Sequence, residues 1–243
     1  IIKSAEGRFI KNVSCMAPGP AMEQGAPVLK RLGHLCLGMH VTLNAELDLI
    51  KWPPVADIHQ VPQLVNANGA LKEDPLRFLI EQPPLSQVML EVNAQLDYLT
   101  RLGLNIQYVD SHMLPERYLI GLKETLTDWA QKKGLIYHMP YYRFPDRMAP
   151  EPAATLEEKN KAIADWLDHL QSGQYISIMH PAVPSREMLL CSNRQHPMGQ
   201  VRDARGAEFL ALASKVPERL CEERGIVCLR YDEALPLEDA FVF

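Results

Sequence analysis

The feature that most limits what this chain can fold into is a repeated unit. A short apolar run is followed by a Gly or Pro break and then by a longer stretch with apolar residues on one helical face. Strands are expected over Phe9–Met16, Leu35–Leu43, Asn105–Val109, Leu135–Tyr137, Gln174–Met179 and Ile226–Leu229. Between them, Met22–Arg31 reads as a helix. Pro83-Pro84 opens another, with Val88, Val92, Leu96 and Leu99 on one face and Gly103 as its stop. Pro115 begins a helix to about Lys133, closed by Gly134. Thr155 is an expected N-cap, and Glu157 and Glu158 supply an acidic first turn for a helix to Leu170. The last helix is expected from Arg202 to Arg224. Pro-rich, irregular insertions are expected at about 47–82, 140–154 and 181–203. This order predicts one α/β domain over 1–243, built on parallel strands buried on both faces.

In parallel sheets, ligands bind beyond the carboxyl ends of the strands. Three expected strands end in a histidine: His40, His112 and His180. Any one of them could be structural, but three at strand ends would gather around one crevice. Imidazole is both the commonest metal ligand and a proton carrier near neutral pH. Two imidazoles and a carboxylate suit Zn²⁺ or another divalent ion with open positions. The carboxylates near these ends are Glu46, Asp110, Glu116 and Asp203. Asp110 lies two residues before His112, so in a strand both side chains share a face. It reads either as a carboxylate orienting a ligand imidazole or as a turn residue. Glu46 reads as a crevice residue or a solvated loop residue. Trp52, beside Pro53-Pro54, reads either as a ring that stacks on a sugar or as loop packing.

Other chemistries find little support. The sequence has no Gly-x-Ser-x-Gly elbow, no phosphate-binding Gly-rich loop and no cysteine at a strand end beside a histidine. A net charge of −5 points to neither nucleic acid nor an anionic membrane as partner. Five cysteines without Cys-x-x-Cys spacing suggest reduced thiols and a cytoplasmic location. No apolar run approaches the ~20 residues of a membrane span.

Three segments carry a resemblance. Gly38-Met39-His40-Val41-Thr42-Leu43-Asn44-Ala45-Glu46, Val109-Asp110-Ser111-His112-Met113 and Ile178-Met179-His180-Pro181-Ala182 resemble motifs of the YdjC-like carbohydrate deacetylases. That family includes the chitin-disaccharide deacetylases. Val201-Arg202-Asp203 and Gly225 to Tyr231 are similar to its C-terminal part. The resemblance implies a distorted (βα) TIM-like barrel. It also implies a divalent metal, Mg or Zn, held by an aspartate and two histidines that correspond to His40 and His112. The family's aspartate belongs to an Asp-Asp-Phe-Gly motif closing the first strand, and its companion carboxylate is the usual candidate for general base. This sequence has no such motif. Ile1–Glu6 resembles the end of the helix that follows it, so the first barrel strand is expected upstream of Ile1. Met113-Leu114-Pro115 stands where some members carry further histidines.

The expected function is a metal-dependent hydrolase that removes N-acetyl groups from amino-sugar oligosaccharides or related carbohydrates. His180 is expected to protonate the leaving amine or stabilise the oxyanion, with Asp110 as the other catalytic group. Glu46, Trp52 and Arg202 are expected to contact substrate. The expected partner is a small carbohydrate, and the expected assembly is a homodimer. Two other readings keep the same fold: a catalytically inactive barrel that binds a sugar or metabolite, and a metal-dependent hydrolase of another small molecule.

Overall fold

The computed structural model describes residues 9–141 and 153–237. It divides into two compact units, one spanning Asn12–His138 and one made from Ile1–Lys11 with Met139–Val242. Within Asn12–His138 the elements are β1 (Asn12–Cys15), α1 (Met22–Arg31), β2 (Cys36–Val41), a short α2 (Phe78–Glu81), α3 (Leu85–Arg101), β3 (Ile106–Ser111), α4 (Leu122–Lys133) and β4 (Ile136–Tyr137). The strands form a parallel sheet in the order β1-β2-β3-β4. The α/β class and the parallel sheet therefore follow the sequence. β2 is buried on both faces, and only His40 on it is partly exposed, as expected of a strand covered by crossover helices.

The helix stops are local. Gly103 and Gly134 sit at φ +76° and +69°, where a Cβ would be strained. α3 buries a different stripe from the apolar one expected. Val88, Val92 and Leu99 are buried, but so are Glu91 and Gln95, whereas Leu96 is only partly covered. Those two polar residues clamp neighbouring chain. Glu91 accepts the backbone N–H groups of Val55 and Ala56 at 2.9 and 2.8 Å. Gln95 holds both backbone groups of Thr42, donating to its C=O at 2.7 Å and accepting its N–H at 3.1 Å. A helix face meant to pack only hydrocarbon could not anchor a strand end and a loop in this way.

The segment 47–82 is largely irregular. It folds back through a bridge between Val65 and Leu71 and ends in the turn Pro75–Arg77 and α2. Most of the irregular stretch expected at 140–154 lies outside the described residues.

The second unit holds α5 (Leu156–Asp168), α6 (Gln200–Ala213) and α7 (Val216–Glu223). Thr155 caps α5 through a reciprocal capping box with Glu158. The single helix expected over 202–224 is corrected to two. It starts at Gln200 and breaks at Lys215, which takes φ +58°, before Pro217 opens α7. The strands expected over 174–179 and 226–229 are also corrected: the described residues there form no sheet ladder. Tyr175, Met179, Ile226 and Cys228 instead pack against a helical core of Ile163, Trp166, Leu167, Ala211 and Cys221. These apolar side chains are thus partly buried against helices rather than within a strand ladder. No helix of the described residues is long and apolar enough to cross a membrane.

Candidate functional site

The carboxyl ends of β2 and β3 carry the site. Parallel register pairs His40 with Asp110 and Val41 with Ser111, and the ladder continues one step as His112 N–H donates to Val41 C=O at 2.9 Å. Register partners on neighbouring strands lie about 4.8 Å apart on the same face, so His40 and Asp110 meet side by side. Their contact, Nδ1 to Oδ1, is 2.7 Å. His112 bonds through Nε2 to Glu46 Oε2 at 2.8 Å. The two imidazoles stand edge to face with ring centroids 5.3 Å apart. Each ring is thus held by its own carboxylate.

Trp52 closes one side. Its ring is buried, edge-on to His112 at 6.4 Å, and its indole N–H donates to Asn44 C=O at 3.0 Å. Asn44 is buried as well. Its amide nitrogen donates to Glu46, to Glu73 C=O and to Met113 Sδ, and its Oδ1 has no hydrogen-bond partner. Behind His40, Glu116 is buried and accepts from Ser111 Oγ and from Tyr137 Oη, with His138 Nε2 at 4.0 Å.

The electrostatics follow from this crowding. Burial opposes charge on His40, but the charge of Asp110 and its hydrogen bond, with Glu116 and Glu46 adding, outweigh it and raise the imidazole pKa. Burial works against ionised Asp110 too, yet the charge and hydrogen bond of His40, then His138 and Ser14, hold its carboxyl below the usual range. Glu116 is lowered in the same way, chiefly by His138 against its own burial. Cys15, next to Ser14 on β1, is pushed up to about 12 by burial and by the charge of Asp110, so it stays a thiol.

Residues 1–223 match the family described as YdjC-like protein. The chain belongs to that family. Among curated relatives of this YdjC-like chain is a carbohydrate deacetylase from Oceanobacillus iheyensis. It is 25% identical over 174 residues, covering 71% of this chain and 67% of the relative. Among solved structures, a crystal structure named for cellobiose-phosphate cleavage, from Enterococcus faecalis V583, superposes with a TM-score of 0.72. The match covers 96% of this chain and 92% of that one at 20% identity, a likeness of fold.

Of the residues singled out in this YdjC-like sequence, the structure brings together His40, His112, Asp110, Glu46 and Trp52. Asp110 serves His40 across the strands, not His112 along its own strand. His180 and Arg202 fall in the other unit. There His180 is exposed and its backbone N–H donates to Glu208 Oε2 at 2.7 Å, while Arg202 pairs with Asp203 at 2.7 Å. Sequence reasoning missed Ser14, Tyr108 and His138. His138 had a signal, since it follows Ile136–Tyr137 directly as His112 follows its own strand.

The ring pair suits a divalent ion. With Nδ1–H of His40 committed to ionised Asp110, neutral His40 keeps its lone pair on Nε2, the form that binds metal. With the ring centroids 5.3 Å apart, one ion bound at about 2.0–2.1 Å is within reach of both rings, and the nitrogen His112 has left for it is Nδ1, because its Nε2 is bonded to Glu46. Among the described residues no group of three or more His, Cys, Asp or Glu side chains is arranged to hold an ion, so the fit is that of the ring pair.

Proposed function

We propose that this YdjC-like chain is a metal-dependent carbohydrate deacetylase that hydrolyses the N-acetyl group of an amino sugar. The observation that carries this is the pair of carboxylate-held imidazoles at the ends of neighbouring parallel strands. The family and the carbohydrate deacetylase among its relatives support the reaction class. The finer fold reading, one distorted (βα) TIM-like barrel over 1–243, belongs to the same proposal and rests on the family resemblance.

His40 and His112 would hold the ion, Mg or Zn, and a bound ion supplies Lewis acidity toward the amide carbonyl and the attacking water. The chain's own residues do the rest. Asp110 keeps the proton of His40 on Nδ1. Glu46 bonds to His112 Nε2 and is the carboxylate placed to accept a proton or a sugar hydroxyl at that ring. Trp52 walls the site and keeps water from the flank of His112, which strengthens the charges inside. The proposal gives His180 the protonation of the leaving amine and Arg202 a substrate contact. The small carbohydrate partner, the homodimer and the cytoplasmic location are parts of it as well.

The test measures acetate release from N-acetylated oligosaccharides with added Zn²⁺ or Mg²⁺, beside phosphate and ester substrates. Release that disappears in His40→Ala and His112→Ala is the expected outcome. Metal binding without acetate release from any N-acetylated sugar would refute the enzyme reading in favour of a binding protein. Turnover confined to phosphates or esters would refute the substrate.

A further inference from the structure

A directed line of hydrogen bonds runs behind His40. Ser14 Oγ donates to Asp110 Oδ2 at 2.6 Å. A hydroxyl has one proton to give. In the 2.7 Å contact between Ser14 Oγ and Tyr108 Oη, the donor is therefore Tyr108. Asp110 Oδ1 receives the Nδ1–H of His40. Tyr108 thus feeds Ser14, Ser14 feeds one oxygen of Asp110, and the other oxygen holds the imidazole.

The sheet makes this line possible at one position. Ser14 pairs with Gly38 in register, and Gly38 pairs with Tyr108. A Cβ on Gly38 would lie 2.3 Å from the Tyr108 ring. The tyrosine therefore lies over the bare backbone of the central strand, and its hydroxyl reaches the serine of the strand beyond. Any side chain at 38 would occupy the space that the ring crosses. The next residues on that face, two positions along, are His40 and Asp110.

We propose that Ser14 is a positioning residue for His40: it fixes the second oxygen of Asp110 and so holds the imidazole as its Nδ1–H tautomer, with Tyr108 and Gly38 as its supports. The proposal deepens, and for its metal arm rests on, the reading of His40 as a ligand. A carboxylate held at both oxygens cannot swing away from the ring it orients. With Ser14 absent, one oxygen is released and the carboxylate can rotate. The ring then samples the other tautomer, whose proton sits on the nitrogen needed for the ion.

The test uses the full chain with Ser14→Ala, Ser14→Thr and Tyr108→Phe. In metal-free protein labelled with ¹⁵N-histidine, held at a pH where the His40 ring is neutral, NMR should show His40 as the Nδ1–H tautomer in the wild type and in Ser14→Thr. Ser14→Ala should show mixed tautomers and faster exchange of that proton, and Tyr108→Phe a smaller change in the same direction. Competition with a chelating dye should show Zn²⁺ affinity falling about tenfold in Ser14→Ala, at the low end of the roughly 10–100-fold range for groups that support ligands. Ser14→Thr should restore it. An unchanged His40 spectrum in Ser14→Ala would overturn the proposal, whatever the Zn²⁺ affinity does. If Ser14→Ala does not fold, an unaltered His40 spectrum in Tyr108→Phe overturns it instead. Acetate release is read in parallel and separates the two readings. Its absence in the wild type refutes the deacetylase while the spectra still decide the role of Ser14.

Discussion

Glu91 is the residue whose replacement should most disturb this protein outside the site itself. It is fully buried on α3. Its carboxylate receives three donors: Val55 N–H at 2.9 Å, Ala56 N–H at 2.8 Å and Gln95 Nε2 at 2.7 Å. Hydrogen bonds to a charged acceptor contribute about 1.5–3 kcal/mol each, and a buried donor left without an acceptor costs about 1–3 kcal/mol. Val55 and Ala56 are only partly buried and can regain water, whereas Gln95 is fully buried. Glu91→Leu should therefore cost about 3–6 kcal/mol, a large part of the 5–15 kcal/mol typical of a folded domain. Glu91→Gln keeps one acceptor oxygen and should cost about 1–3 kcal/mol. Urea denaturation measures both values, and amide exchange at Val55 and Ala56 should quicken sharply in Glu91→Leu. A loss below about 1 kcal/mol, or unchanged exchange at those two amides, would refute the anchoring argument. Burial raises the Glu91 pKa despite its hydrogen bonds. The folded state therefore holds this proton to higher pH than the unfolded chain. The part of its stability linked to this proton is fully present below the unfolded value and is lost as pH rises through the folded one, while the hydrogen bonds to Val55, Ala56 and Gln95 persist. The wild type should lose stability over that rise by more than Glu91→Gln does.

Three further outcomes are expected. Gly38→Ala puts a Cβ 2.3 Å from the Tyr108 ring. Overpacking there should cost about 1–3 kcal/mol in denaturation and also weaken Zn²⁺ binding; a neutral variant would show that the ring has room to move. Glu208 pairs with buried Lys159 at 3.1 Å and receives the backbone N–H of His180. Glu208→Ala should thus destabilise by about 1–3 kcal/mol through loss of the charge pair at a buried ammonium and of the acceptor for the His180 N–H, and a change under about 0.5 kcal/mol would count against that pairing. Treatment with a chelator should abolish acetate release, and added Zn²⁺ or Mg²⁺ should restore it; activity indifferent to the chelator would refute metal dependence.

The division between what the sequence determined and what the tertiary structure decided follows the range of the interactions. Helix ends are set by neighbours in the chain. The stops at Gly103 and Gly134 and the N-cap at Thr155 were legible because each involves residues a few positions apart. His40 and His112 were legible as strand-end residues for the same reason, since a run of apolar residues marks its own end. Which carboxylate would serve which imidazole was not. The two-residue spacing placed Asp110 with His112, whereas the register of β2 on β3 gives Asp110 to His40 and leaves His112 to Glu46. Register is a property of two strands brought together from 70 positions apart, and no local pattern encodes it. The burial of Glu91 and Gln95 was hidden likewise, because their partners, Thr42, Val55 and Ala56, come from distant chain. At 174–179 and 226–229 the apolar runs were real, but a strand also needs a neighbour to pair with. There the helices of the second unit took the side chains instead.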